Sequence, residues 1–161
     1  MGADFRVAPT HVEELAAGEP KAVAAENARR KALAADPAPL VLGADTLVTV
    51  DGEILGKPRD AAQAVEYVAR LAGRAHHVVG GIALARDGAL LGEAVDVTEV
   101  VFRALTAREV QDYVALGEWE GRAGGYAIQG AGAALVRSIT GDYLNVVGLP
   151  LARLLDLVAH S

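Results

Sequence analysis

The chain has 161 residues, a formal net charge of −6 and 52% hydrophobic residues, with no cysteine. That length suits one domain with a substantial core, and the acidic balance argues against a nucleic-acid duplex as the main partner. The lack of cysteine excludes disulfides, thiol catalysis and cysteine metal sites. No apolar run approaches membrane-spanning length, so no membrane partner is expected. Met1-Gly2-Ala3-Asp4 opens on an acid instead of the basic segment of a secretory leader, so the expected location is cytoplasmic.

The segment from Pro20 to Ala34-Ala35 reads as a helix ending before Pro37. Leu40 to Leu42 reads as a buried strand. Thr46–Val50 and Glu53–Leu55 flank Asp51-Gly52, a strong hairpin turn signal. Asp60 reads as an N-cap, with Ala61, Ala64, Val65, Val68 and Leu71 at helical spacing and Gly73 as the stop. His76–Ala85 and Ala94–Phe102 read as strands, the first turning at Asp87-Gly88. Thr106 and Glu109 form a capping box for a helix that stops at Gly117. Ala133–Ile139 and Leu144–Val147 read as two strands around Thr140-Gly141-Asp142, and Pro150 opens a last helix running to about Val158. Helices mixed with hairpins predict a single α/β or α+β domain over 1–161 with a mixed sheet.

Polar and glycine-rich islands interrupt this apolar framework. Asp45 follows Leu40-Val41-Leu42 closely and precedes Leu47-Val48. A carboxylate placed there is costly unless it is paired or binds metal, which makes it a candidate for chemistry. Glu13, Glu14, Asp45 and Gln129 sit near predicted element ends, as do the cations Lys31 and Lys57. Glu14 and Asp45 could bind a hard divalent metal through oxygen. Lys31 and Lys57 could hold phosphate oxygens, and Asp45 could take a proton from an attacking water. Together these residues suit metal-assisted attack on a phosphoanhydride. The plainer readings are a solvated helix face for Lys31, an acid pair at a helix start for Glu13-Glu14 and a turn cap for Asp45. His76 and His77 are adjacent and point to opposite faces of a strand, so they make a poor metal pair. Gly130-Ala131-Gly132 begins like a dinucleotide fingerprint, but Leu135 stands where a third small residue is needed.

Several of these islands coincide with motifs of a known family. They are Val12-Glu13-Glu14, Arg30-Lys31-Ala32, Gly43-Ala44-Asp45-Thr46, Gly56-Lys57-Pro58 and Leu71-Ala72-Gly73-Arg74-Ala75-His76. To these are added the segments from Ala123 to Gly130 and from Asn145 to Pro150. The chain resembles the Maf-like nucleoside triphosphate pyrophosphatases, or septum-formation inhibitors, from about Phe5 to Leu155. The resemblance implies a mixed, elongated, twisted sheet flanked by helices, as in Maf and ITPase-like proteins. It implies hydrolysis between the α- and β-phosphates with a divalent cation, Mg²⁺ or Mn²⁺. Carried over, Asp45 is the proton acceptor and a metal ligand, and Glu14, Lys31, Lys57 and Gln129 bind metal or phosphates, with Glu14 the second metal ligand. Thr46, Tyr126 and Gln129 lie around the base. Tyr126 to Gln129 resembles the subgroup acting on dTTP and UTP more than the one acting on 7-methyl-GTP. The expected partner is a nucleoside triphosphate, and a homodimer is a possible assembly.

Family members open with a strand and a serine-x-serine-proline-arginine-arginine segment. This sequence aligns after it, so the first strand and arginine loop are expected to be missing. The alternative reading is therefore a catalytically weak nucleotide-binding or cell-division-associated protein.

Overall fold

The structure is a computed structural model that describes residues 4–36 and 38–160. Of the opening Met1-Gly2-Ala3-Asp4 only Asp4 is described, and the helix stop expected at Pro37 lies outside the described residues. The first helix, α1 (Pro20–Ala34), starts where Glu19 accepts a hydrogen bond from Ala22 N at 2.8 Å. Strand β1 (Val41–Val50) turns through Asp51 and Gly52, both at positive φ, into β2 (Glu53–Leu55). Helix α2 (Ala61–Leu71) is capped by Asp60, and β3 (Ala75–Arg86) turns at Asp87-Gly88 into β4 (Ala89–Phe102). Helix α3 (Ala107–Ala115) carries the complete Thr106–Glu109 capping box. Then come β5 (Val136–Thr140), α4 (Tyr143–Val147) and α5 (Leu151–Ala159). No helix among the described residues is long and apolar enough to cross a membrane.

The strands form one sheet in the order β2-β1-β3-β4-β5. The expected α/β domain is present, but every neighbouring pair among the described strands is antiparallel, so the sheet is not mixed. Tight hairpins reverse the chain between β1 and β2 and between β3 and β4. Helix α2 then carries the chain from β2 past β1 to β3, which leaves β1 reversed between them.

Two strand assignments also change. Residues 133–135 belong to a 3₁₀ turn spanning Gly130–Leu135, and only Val136–Thr140 pairs with β4. Leu144–Val147 is helical: Asp142 accepts from Leu144 N, and buried Asn145 donates to Val78 O and Thr98 Oγ1, both at 3.1 Å. The apolar run expected to start a buried strand at Leu40 is exposed at Leu40 and Leu42. Burial begins at Gly43.

Three layers result. One face of the sheet buries Val48, Val78, Val100 and Phe102 against α2 and α3, with Val68, Leu71, Val110 and Val114 as partners. Helix α1 covers the other face through Ala24, Ala28 and Ala32, spaced four apart so that they form one stripe. Its backbone rests on glycines. A Cβ at Gly43 would lie 2.2 Å from Ala28 O, and one at Gly81 would lie 2.2 Å from Ala24 O. Only glycine permits that approach, and it sets the height of α1 above β1.

Candidate active site

The seating of α1 decides what Asp45 meets. Side chains alternate along a strand, so Gly43, Asp45 and Leu47 share the face under α1. Asn27 and Lys31 stand four residues apart on that helix and point to the same place. Asp45 is buried, at 7% exposure. Lys31 Nζ lies 2.6 Å from its Oδ1, and Asn27 Nδ2 donates to its Oδ2 at 3.0 Å. The buried charge is thus paired and hydrogen-bonded, as its burial requires. Asp45 lies inside β1, not at a strand boundary.

Asn27 also ties down the irregular segment before α1. It accepts from Leu15 N at 2.8 Å and donates to Leu15 O at 3.1 Å. That delivers Glu14 to the same cations: Lys31 Nζ lies 2.9 Å from Glu14 Oε1, and Lys57 Nζ lies 3.4 Å from Oε2. Glu13 turns elsewhere, contributing its carbonyl to Arg30. The result is a chain of alternating charge, Lys57–Glu14–Lys31–Asp45. Burial opposes the charged form of Lys31, but its bonds to Asp45 and Glu14 outweigh it and hold the pKa above the usual lysine value. Partial burial likewise opposes the charged form of Glu14, and Lys31 and Lys57 outweigh it, keeping the carboxyl below its usual range.

Lys31, Asp45 and Lys57 open onto a cleft of about 470 Å³. Lys31, Asp45, Thr46, Lys57, Tyr126 and Gln129 all line it. Glu14 joins through its two lysines. Asp45 enters from the α1 side of β1 and its neighbour Thr46 from the opposite side, so the cleft wraps the edge of the strand. Val48, Val78, Val146 and Val147 supply an apolar wall. Gln129 is exposed, and its amide makes no hydrogen bond to another described residue. Tyr126 offers less than its position suggested. Its hydroxyl lies 2.8 Å from His76 Nε2 in the core, and its ring packs edge-on against Phe102, so the ring alone borders the cleft. Burial holds His76 neutral, lowering its pKa to about 4.

Three cleft-associated residues were not singled out from sequence. Asn27 had a signal, since it lies one helical turn before Lys31. Glu118 and Arg122 lie in the loop after α3 and line the cleft, and nothing in their local pattern marks them.

Glu14 and Asp45 provide hard oxygen donors on one ammonium group. Among the described residues no group of three or more His, Cys, Asp or Glu side chains could hold a metal ion. Two carboxylates match the number of protein ligands taken by an ion such as Mg²⁺, which completes its shell with water and phosphate oxygens.

Comparison with known proteins gives consistent matches. The family model described as "Maf-like protein" matches residues 1–161. A Symbiobacterium thermophilum protein named dTTP/UTP pyrophosphatase is 47% identical over 99% of this chain and 84% of its own length. A Salmonella typhimurium protein of the same name is 49% identical over 74% of this chain and 60% of its own length. One from Pyrococcus abyssi is 38% identical over 96% of this chain and 84% of its own length.

Proposed function

The chain belongs to the Maf-like protein family, and on that premise we propose that residues 1–161 form one nucleoside triphosphate pyrophosphatase domain acting on dTTP and UTP. Water attacks the anhydride between the α- and β-phosphates, yielding the nucleoside monophosphate and pyrophosphate. The observation that carries this reading is the pairing of Asp45 with Lys31 in the wall of a nucleotide-sized cleft that Lys57 and Gln129 also line.

Asp45 accepts the proton of the attacking water. It has acceptor capacity to spare, because each carboxylate oxygen carries two acceptor sites and uses one on Lys31 or Asn27. Lys31, held protonated by its bonds to Asp45 and Glu14, places a positive charge beside the incoming triphosphate. Lys31 and Lys57 offset phosphate charge as it develops. Glu14 and Asp45 would hold a divalent cation, which when bound would polarise phosphate oxygens. The Gln129 amide both donates and accepts, matching the N3–H and O4 of thymine or uracil. Thr46 and the Tyr126 ring border the base. The relatives' names do not favour the catalytically weak alternative. The same reading includes a cytoplasmic setting and allows a homodimer.

The test is a pyrophosphate-release screen over the common nucleoside triphosphates and 7-methyl-GTP, with magnesium, manganese or cobalt. The expected result is that dTTP and UTP give the highest kcat/KM. Equal rates on dTTP, GTP and 7-methyl-GTP would overturn the base assignment.

A further inference from the structure

We infer that Glu118 is a positioning residue for Gln129 and so fixes base selectivity; this rests on the reading above that Gln129 contacts the base. Helix α3 ends before Gly117, whose positive φ turns the chain toward the cleft. The turn is closed by Glu120 N donating to Gly117 O at 3.2 Å and braced on the helix by Trp119 Nε1 donating to Val114 O at 3.0 Å. From this support the Glu118 carboxylate reaches across. Its Oε1 accepts from Ala131 N at 3.0 Å and its Oε2 from Gly132 N at 3.1 Å. Gly130 has φ +70°, and a Cβ there would fall 2.6 Å from Glu118 Oε1, so the carboxylate and the turn are built to touch. On the other side of Gln129, Ala127 N donates to the Tyr113 hydroxyl at 3.0 Å. Gln129 is therefore held between two anchors, both from α3 or the turn that follows it. Since its amide has no hydrogen-bond partner among the described residues, these backbone anchors set its direction.

Charge points the same way. A carboxylate lining a triphosphate cleft repels phosphate, yet Glu118 lines this one. Lys31 and Lys57 pair with Glu14 and Asp45, whereas Glu118 bonds the backbone just after Gln129. The phosphates are therefore assigned to the lysines and the base to the Glu118–Gln129 side, where Arg122 of the same loop also lines the cleft. Charge-assisted bonds to two backbone N–H groups are stronger than neutral ones, which suits a residue that must hold a loop still against solvent.

The test measures binding, so it does not depend on turnover. Dissociation constants are taken by calorimetry for UTP and GTP analogues with a methylene link between α- and β-phosphorus, and for inorganic pyrophosphate. The proteins are the unmodified chain, Glu118→Ala, Glu118→Gln, Gln129→Ala and the two double variants. The expected result for Glu118→Ala is a fall of about tenfold in the UTP-to-GTP affinity ratio, with pyrophosphate affinity unchanged. Glu118→Gln keeps one acceptor and should fall between. Neither Glu118 change should move the ratio further once Gln129 is alanine, because the two act through one contact. A purely structural role would weaken UTP, GTP and pyrophosphate together and would overturn the inference. So would additive losses in the double variants. If Gln129→Ala collapses the ratio and Glu118→Ala does not, the inference fails while the reading of Gln129 stands. If Gln129→Ala leaves the ratio unchanged, both fail. Should Glu118→Ala not fold, the cycle of Glu118→Gln with Gln129→Ala decides by the same criteria.

Discussion

Asn27 donates to Asp45 Oδ2 at 3.0 Å from one helical turn before Lys31, which holds Oδ1. The two oxygens of the carboxylate thus have different partners, one neutral and one cationic. Replacing the neutral partner by an acid, Asn27→Asp, sets a second carboxylate at that distance. Two carboxylates so close cannot both ionise easily, so one pKa rises. The expected outcome is an acid limb of the kcat/KM–pH profile displaced upward by about one unit or more, while activity recovers at higher pH. A limb that stays in place would show that Asn27 does not face the ionising group.

The contact of α1 with the sheet predicts a stability effect away from the chemistry. Gly43→Ala drives a methyl to 2.2 Å from Ala28 O, against backbone rather than a movable side chain. Overpacking of this kind costs about 1–3 kcal/mol, and here the helix that carries Lys31 and Asn27 must shift. Thermal unfolding should show a clear fall in Tm together with lost activity. Gly52→Ala, where a Cβ meets nothing within 4 Å but φ is +79°, should cost less.

Stability should fall as pH drops through two successive windows that meet near pH 4. His76 has a folded pKa of about 4 against a usual 6.5. The unfolded chain therefore binds its proton first, and stability present above pH 6.5 is lost as pH drops toward 4, by about 3 kcal/mol. Glu109 behaves in the acid sense. The Thr106 backbone N–H, aided by Arg103, lowers its pKa from 4.5 to about 2, so its contribution is lost between those values. Denaturant titrations across pH should show a first decline that disappears in His76→Gln and a second that disappears in Glu109→Gln.

Removal of divalent metal should separate fold from activity. Lys57, Glu14, Lys31 and Asp45 already balance two positive against two negative charges. A chelator is therefore expected to abolish pyrophosphate release while Tm and far-ultraviolet circular dichroism stay unchanged. A large fall in Tm on chelation would point to a structural ion.

Much of the fold was legible because its punctuation is local. Asp51-Gly52, Asp60 and the Thr106–Glu109 pair each act through hydrogen bonds or dihedrals within four residues. The helix at Leu144–Val147 was not legible, because its β-branched residues favour strand by themselves. Asn145, anchored to Val78 and Thr98 far along the chain, overrides that preference. The same division holds for the site. Asp45 stood out as a carboxylate in apolar sequence, and Lys31, Lys57 and Gln129 lay in motifs. Glu118 did not, because its meaning depends on Ala131 and Gly132 being folded back onto it.

The central claim is that Asp45 activates water for attack on the α–β anhydride. The most direct measurement follows the products of dTTP under magnesium for the unmodified chain and for Asp45→Asn, with fold checked by circular dichroism. The expected result is dTMP and pyrophosphate in equal amounts, with turnover lower by roughly 100-fold or more in a folded Asp45→Asn. Release of dTDP and phosphate, or unchanged turnover in the variant, would contradict it.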